Sequence, residues 1–169
     1  NQLTGQAIVG TLTGKTLERV PIIPTTWGDW KAKHPDTLLL SEGTGVKGNR
    51  DYSYNPYLSY FNSPEETFGT KKDDRRLLPK ELVFPVTIGE GSKVYSNERV
   101  KDAKLIIDNV GGEDIVVVWD ESLETVRIFF TEGKDVSDYT IEQLEELKPY
   151  ETFITYWFSW VAFNPETQV

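Results

Sequence analysis

A mainly β fold, a barrel or sandwich built from two related halves, is what this 169-residue sequence predicts. Three observations carry the prediction. Aromatic residues make up 12% of the chain and hydrophobic residues 38%, a share that suits a packed β-rich core and not a disordered polymer. Between Val86 and Phe130, short β-branched and aromatic runs alternate with glycine- and aspartate-containing turns, the spacing of a meander. The pattern Trp-x-x-Trp-x-Ala-x-x-Pro-acid-Thr occurs twice, from Trp27 to Thr37 and from Trp157 to Thr167, at a constant offset of 130 residues. Four of the five tryptophans lie in these copies, so the pattern reads as an internal duplication with a short helix-to-strand corner in each half.

In chain order, Gln6 to Pro24 reads as paired strands, with Gly14 at the tip of a hairpin. Gly10 to Thr16 has the outline of a phosphate-binding loop, but that motif needs four residues between its glycines, and here there are three. It also needs a following helix, whereas Pro21 and Pro24 come next. At the first tryptophan copy, Thr26 is placed to cap a helix, with Asp29 three residues on. Pro35 stops that helix, and Thr37-Leu38-Leu39-Leu40 is expected to begin a strand. Ser41 to Asn62 is rich in Gly, Tyr and Asn. Its segment Arg50 to Phe61 alternates polar and aromatic side chains, which makes Arg50, Asp51, Tyr52, Tyr54 and Tyr57 the candidate recognition loop. Tyrosine combines rigid contact area with a hydrogen-bonding tip; the competing reading is that these rings cover a core edge. Ser63 to Lys80 is charged, and its opposite signs nearly cancel around Lys71–Arg76, as in a solvated loop or a partner contact.

Ile115 to Trp119 is a continuous apolar run, expected to form a strand buried on both faces. Thr140-Ile141-Glu142-Gln143 is a capping box that opens one amphipathic helix near 140–148, with Ile141, Leu144 and Leu147 inward and Pro149 at its end. The second tryptophan copy is more apolar than the first, so it is expected to be the more deeply buried of the two.

Composition narrows function more than it defines it. Net charge is −9, from 18 basic and 27 acidic residues, and no basic run exceeds two residues, which disfavours binding to a nucleic-acid backbone. There is no cysteine, which removes disulfides and thiolate zinc sites from this chain. No apolar run of membrane length is visible. The single histidine, His34, corresponds to Asn164 in the second copy; both suit a capping role beside proline. Asp36 and Glu166 also correspond and are expected to brace the corner. No catalytic residue, metal ligand or cofactor is implied. The sequence starts without methionine, and only 26 residues precede Trp27. With a duplication, that leads to the expectation that residues 1–169 are one domain, the C-terminal part of a larger two-copy one.

The segments Asn1–Gly10, Leu12–Leu17, Thr26–Thr37, Arg50–Tyr57 and Trp157–Thr167 together resemble the domain of unknown function 3179 family. The resemblance spans nearly the whole chain. It implies an exported or envelope-associated, extracytoplasmic protein of bacteria or archaea with no established activity. It also implies an upstream copy in which a Cys-Pro-Leu-Cys-like motif follows a valine-rich strand. At the matching place here Asp120 and Leu123 stand where the cysteines would be. The function expected from these readings is a non-catalytic binding or assembly module, partnered by the upstream half of the same protein or by another subunit. The alternative is a metal- or redox-dependent enzyme whose site lies mainly in that upstream half. Acidity alone suggests a third class, a Ca²⁺-stabilised surface unit.

Overall fold

A computed structural model describes residues 5–18, 20, 22–41, 54–63 and 74–169. Its core is two three-stranded antiparallel sheets. The first has the order β2-β1-β6, from β1 (Leu82–Ile88), β2 (Gly91–Ser96) and β6 (Thr155–Tyr156); the second has the order β3-β4-β5, from β3 (Leu105–Val110), β4 (Glu113–Asp120) and β5 (Thr125–Phe130). The mainly β expectation holds, but the strands do not close into a barrel. Five helices accompany them among the described residues: α1 (Trp27–Lys33), α2 (Leu58–Asn62), α3 (Asn97–Ala103), α4 (Ile141–Leu144) and α5 (Trp157–Val161).

The layers follow from the two-residue period of a strand. In β4, Ile115, Val117 and Trp119 point one way and join Phe84, Val86, Tyr95, Val100, Val126 and Ile128 in the core shared by both sheets. Val116 and Val118 point the other way, into Val136, Leu144 and Leu147. β4 is thus buried on both faces, as its unbroken apolar run requires. Val83 and Val94, on the outer face of the first sheet, are covered by Trp157, Trp160 and Val161 of α5.

The sheets are joined by a strap. Residues 148–150 extend the edge of β5, with Phe130 N–H donating to Lys148 O and Tyr150 N–H to Ile128 O, each at 2.9 Å. The chain then crosses to β1. The Tyr150 hydroxyl accepts from Thr87 N–H at 2.8 Å and donates to Thr87 O at 3.1 Å, and Thr152 Oγ1 donates to Pro85 O at 2.7 Å. β6 then pairs only with Leu82 and Val83, short of Pro85, which has no N–H to offer a strand partner. At the other edge of this sheet, Gln168 bridges to Lys93 of β2 in parallel, closing the free edge with two backbone bonds.

Several local expectations are revised. Among the described residues of Gln6 to Pro24 the expected paired strands shrink to a short hairpin: Gln6 bridges Thr16, Leu17 N–H donates to Gly5 O, Ala7 N–H to Lys15 O and Gly14 N–H to Ala7 O, around a turn with Gly10 and Gly14 at positive φ. Thr37 to Leu40 is not a strand; Leu38, Leu39 and Leu40 are strongly exposed. Among the described residues no strand lies alongside Thr37–Leu40. The helix expected over 140–148 is only Ile141–Leu144. Its capping box is present, but Leu147 N–H turns to Leu144 O because Lys148 is claimed by the edge of β5. The meander contains an unexpected helix, α3, capped by Ser96 through Arg99 N–H and anchored by buried Val100.

The tips of the β1–β2 and β3–β4 hairpins touch backbone to backbone. Gly111 has φ +61°, and a Cβ there would lie 1.9 Å from Ile88 O, whereas a Cβ at Gly112, φ +89°, would meet nothing within 4 Å. Both substitutions incur left-handed strain, but only Gly111→Ala also collides with backbone. In urea unfolding, Gly112→Ala is expected to cost about 1 kcal/mol and Gly111→Ala at least about 3 kcal/mol. Equal costs would mean that the tips do not meet.

Candidate functional site

The candidate recognition loop is only partly within the described residues. Arg50, Asp51 and Tyr52 lie outside them. Tyr54 and Tyr57 are 69% and 63% exposed, and Asn55 Oδ1 accepts from Tyr57 N–H at 2.9 Å, fixing the turn into α2. The foot of the loop is packed: Lys80 Nζ sits 3.6 Å from the Tyr60 ring centroid and donates to Tyr60 O and Ser63 O, and Tyr60 meets Tyr156 edge-on. So the two described candidate tyrosines are exposed, while the neighbouring Tyr60 packs against Lys80 and Tyr156.

A separate concavity lies among the described residues. A cleft of about 720 Å³ is walled by Asp29, Ala32 and Lys33 of α1, by Val118–Ser122 at the end of β4, and by Tyr139–Glu145. Its floor is Asp120, 1% exposed. Oδ1 accepts from Ser122 N–H at 2.9 Å, Ser122 Oγ at 2.6 Å and Leu123 N–H at 3.1 Å, a turn-capping pattern natural to aspartate. Oδ2 faces Arg127 Nη1 at 3.4 Å. Arg127 also bonds Glu145, which reaches Lys33 of α1 at 3.4 Å. At the rim, Glu121 accepts from Lys104 at 2.5 Å and from Trp119 Nε1 at 3.1 Å.

These pairings govern protonation. Burial pushes the Asp120 carboxyl up, but the Ser122 hydroxyl, the charge of Lys33 and the two turn amides outweigh it and hold the group below the usual carboxylate range. Arg127 holds Glu145 low in the same way. Asp120 at neutral pH is therefore an ionised acceptor and not a proton donor. Asp120, Arg127, Glu145 and Lys33 form one chain of ion pairs, and among the described residues no group of three or more His, Asp or Glu side chains is placed to hold a metal ion. This cleft joins α1 to the sheet, and ion pairing is its visible work. Sequence reading missed the cluster, although Arg127 was a usable signal: a lone charge between Val126 and Ile128 needs a buried acid.

The two tryptophan copies give the sharpest comparison. Both fold as a short helix followed by the same turn. His34 N–H donates to Trp30 O and Thr37 N–H to His34 O; correspondingly, Asn164 N–H donates to Trp160 O and Thr167 N–H to Asn164 O. His34 also stacks on Trp30, with ring centroids 4.0 Å apart, and Asp36 and Glu166 sit exposed in the matching turns. Each copy carries a cation that ties down the same two carbonyls beside the first tryptophan. In the second copy Arg76 donates to Pro165 O and Thr167 O and lies 5.0 Å from the Trp157 ring centroid. In the first, Lys31 donates to Pro35 O and Thr37 O and lies 5.8 Å from that of Trp27.

Burial separates them. Trp157, Trp160 and Val161 of α5 are buried, whereas α1 buries no residue and Trp27 is 44% exposed. In α5, Trp157 N–H and Phe158 N–H take carbonyls from Glu81 and Pro79, and Trp157 Nε1 donates to Asp74 O at 3.1 Å. α1 instead relies on its own Thr26, whose side chain accepts from Asp29 N–H, and on a bond from Trp30 Nε1 to Thr37 Oγ1 at 3.0 Å.

Removing Asp120 tests the cleft. Asp120→Ala leaves two turn amides without their acceptor and Arg127 with Glu145 alone, and a loss of about 2–4 kcal/mol in urea unfolding at pH 7 is expected. Because its folded pKa is depressed, Asp120 contributes stability that is complete above about pH 4, its unfolded value, and is lost as pH falls through the folded one. The acid limb of the stability profile should be shallower in Asp120→Asn than in the parent; identical limbs would contradict the ion-pair account.

Residues 1–167 match the model of a family described as a protein of unknown function, DUF3179. No curated protein and no solved structure matches the chain.

Proposed function

The chain belongs to the DUF3179 family, and we propose that it is a non-catalytic binding or assembly module of an exported or cell-envelope protein. One observation carries the reading. The same tryptophan corner occurs twice; one copy is covered by a sheet, and the other presents its Trp27 side and the following Leu38-Leu39-Leu40 run to solvent, those leucines at 94%, 70% and 86% exposure. Isolated apolar side chains on a surface are ordinary, but a contiguous run beside an aromatic helix marks an interaction surface.

Two further features support it. Tyr54 and Tyr57, the described part of the expected recognition loop, stand free, as contact rings in an interface do. Lys33 of α1, Glu145, Arg127 and Asp120 are linked by ion pairs that fasten α1 to the body. Partnership with the upstream half of the same protein, or with another subunit, accords with the duplicated corner. No helix among the described residues is long and apolar enough to cross a membrane; the extracytoplasmic location comes from the family resemblance.

Hydroxyl-radical footprinting tests the reading. In the isolated chain of residues 1–169, Trp27 and Leu38–Leu40 are expected to oxidise readily; in the protein purified intact from its source they are expected to be protected, while Phe163, 65% exposed, serves as the reference. Equal labelling of Trp27 and Leu38–Leu40 in both forms would overturn the proposal.

A further inference from the structure

β3 is an open sheet edge beside an acid-rich cleft, and we propose that it takes up an extended segment of another polypeptide by antiparallel strand addition, with a lysine or arginine of that segment entering the cleft. The surface is separate from the Trp27 side. The proposal deepens the binding reading and rests on it.

The open edge follows from the register. β3 pairs with β4 from Leu105↔Val118 to Val110↔Glu113, and just before it Trp119 N–H donates to Lys104 O at 2.9 Å. Hydrogen-bonded pairs alternate along an antiparallel ladder. Ile106, Asp108 and Val110 therefore turn their backbone groups to β4, and Leu105, Ile107 and Asn109 turn theirs away. Asn109 N–H is taken by Asp108 Oδ1 at 2.8 Å. At the other end Lys104, at φ +67°, turns the chain out of the strand. The open stretch is thus Leu105–Ile107. Other edges are met: Gln168 lies along β2, and residues 148–150 along β5. Among the described residues no chain lies along the outer edge of β3, and Ile107 is 51% exposed. An uncovered edge of this kind is a template for pairing.

The cleft defines what the added strand carries. Leu105 shares the outer face of its sheet with Val118 and lines the cleft between α1 and α4. A residue paired opposite Leu105 places its side chain on that same face. There Lys33 is paired with Glu145, Lys104 with Glu121, and Arg127 with Asp120 and Glu145. Asp29 on the α1 wall and Glu142 on the α4 wall have no cation among the described residues. A carboxylate on each wall, over a floor of Leu105, Val118 and Ile141, suits a side chain with an apolar stem and a cationic head. The residue opposite Ile107 lies beside exposed apolar surface and suits a β-branched side chain. A second copy of this chain would offer Leu105, Ile107 and Asn109 from its own β3 and bring no cation to the cleft, so charge favours a different polypeptide. Strand addition of this form takes affinity from main-chain bonds and specificity from alternate side chains.

The test is a titration of isotope-labelled residues 1–169 with the peptide acetyl-Thr-Val-Thr-Lys-Thr-amide at millimolar concentration, followed by amide NMR shifts. Shifts are expected at Leu105, Ile107, Asp29 and Glu142, and glutamate in place of the peptide lysine is expected to weaken binding by about tenfold or more. Ile107→Pro removes an N–H that β4 does not use; it should abolish binding while the amide spectrum of β4 and β5 is kept, and Ile107→Val should bind as the parent does. Methylating the backbone nitrogen of the peptide lysine removes its bond to Leu105 O and should abolish binding with the protein unchanged. Asp29→Asn combined with Glu142→Gln should remove the preference for lysine. Equal affinity of the lysine and glutamate peptides for the parent would overturn the cationic assignment. Absence of shifts at Leu105 and Ile107, or binding that survives Ile107→Pro or the methylated peptide, would overturn strand addition. Concentration-dependent shifts at Leu105 and Ile107 without peptide would assign the edge to a second copy and overturn the proposal. All of these outcomes leave the footprint of Trp27 and Leu38–Leu40 unmoved, which separates them from failure of the assembly reading.

Discussion

The structure depends on how one helical corner is held against one sheet. The Arg76 guanidinium lies over the Trp157 ring and donates to Pro165 O and Thr167 O. Because it also pairs with Asp74, its charge is not left uncompensated, and the acid raises its already high pKa. Trp157, fully buried, donates its indole N–H to Asp74 O. A single arginine thus fixes the turn after α5, the segment before β1 and the largest buried side chain. Once that corner is fixed, Gln168 falls beside β2, Thr155 beside β1, and the strap from residue 148 is drawn tight across both sheets. The aromatic contribution is chiefly burial, with the cation contact adding about 1–2 kcal/mol in a partly desolvated setting.

The first corner solves the same problem with less. Lys31 replaces Arg76 from within the helix, Thr26 supplies the cap that Glu81 and Pro79 carbonyls supply to α5, and Trp30 turns its indole N–H to Thr37. These bonds are local in sequence, so they form without a sheet. What they do not replace is apolar cover, and Trp27 and Leu38–Leu40 remain exposed. α1 is attached to the body through charge, by Lys33 to Glu145 and on to Arg127 and Asp120. The exposed part of that chain of pairs is worth little by itself; its buried end at Asp120 is where breaking it is costly.

Much of the fold was legible locally. The run Ile115–Trp119 announced a strand buried on both faces, Thr26 and Asp29 announced the cap of α1, and Thr140 and Gln143 the box that opens α4. What was not legible depended on distant neighbours. Leu38–Leu40 has strand propensity, but a strand exists only where a ladder partner lies alongside. α3 was overlooked because Val100 is its only buried side chain, too few for a periodic signal, although Ser96 was a readable cap. The helix after Thr140 stops early because Lys148 pairs with β5, a competition that periodicity cannot register. Tyr54 and Tyr57 were singled out by composition, and both are exposed. The cluster of Lys33, Asp120, Arg127 and Glu145 was not, since it joins residues from three separate parts of the chain.

On the proposed assembly reading one motif serves twice, buried within this chain at Trp157 and exposed for a partner at Trp27. The most direct measurement is the unfolding free energy of Trp157→Ala and Trp27→Ala, each in residues 1–169 and in the intact native protein. Trp157→Ala is expected to cost about 3–5 kcal/mol in both forms. Trp27→Ala is expected to cost no more than about 1 kcal/mol in residues 1–169, rising to about the Trp157 value in the intact protein. A Trp27→Ala cost that stays the same in the two forms would contradict that reading.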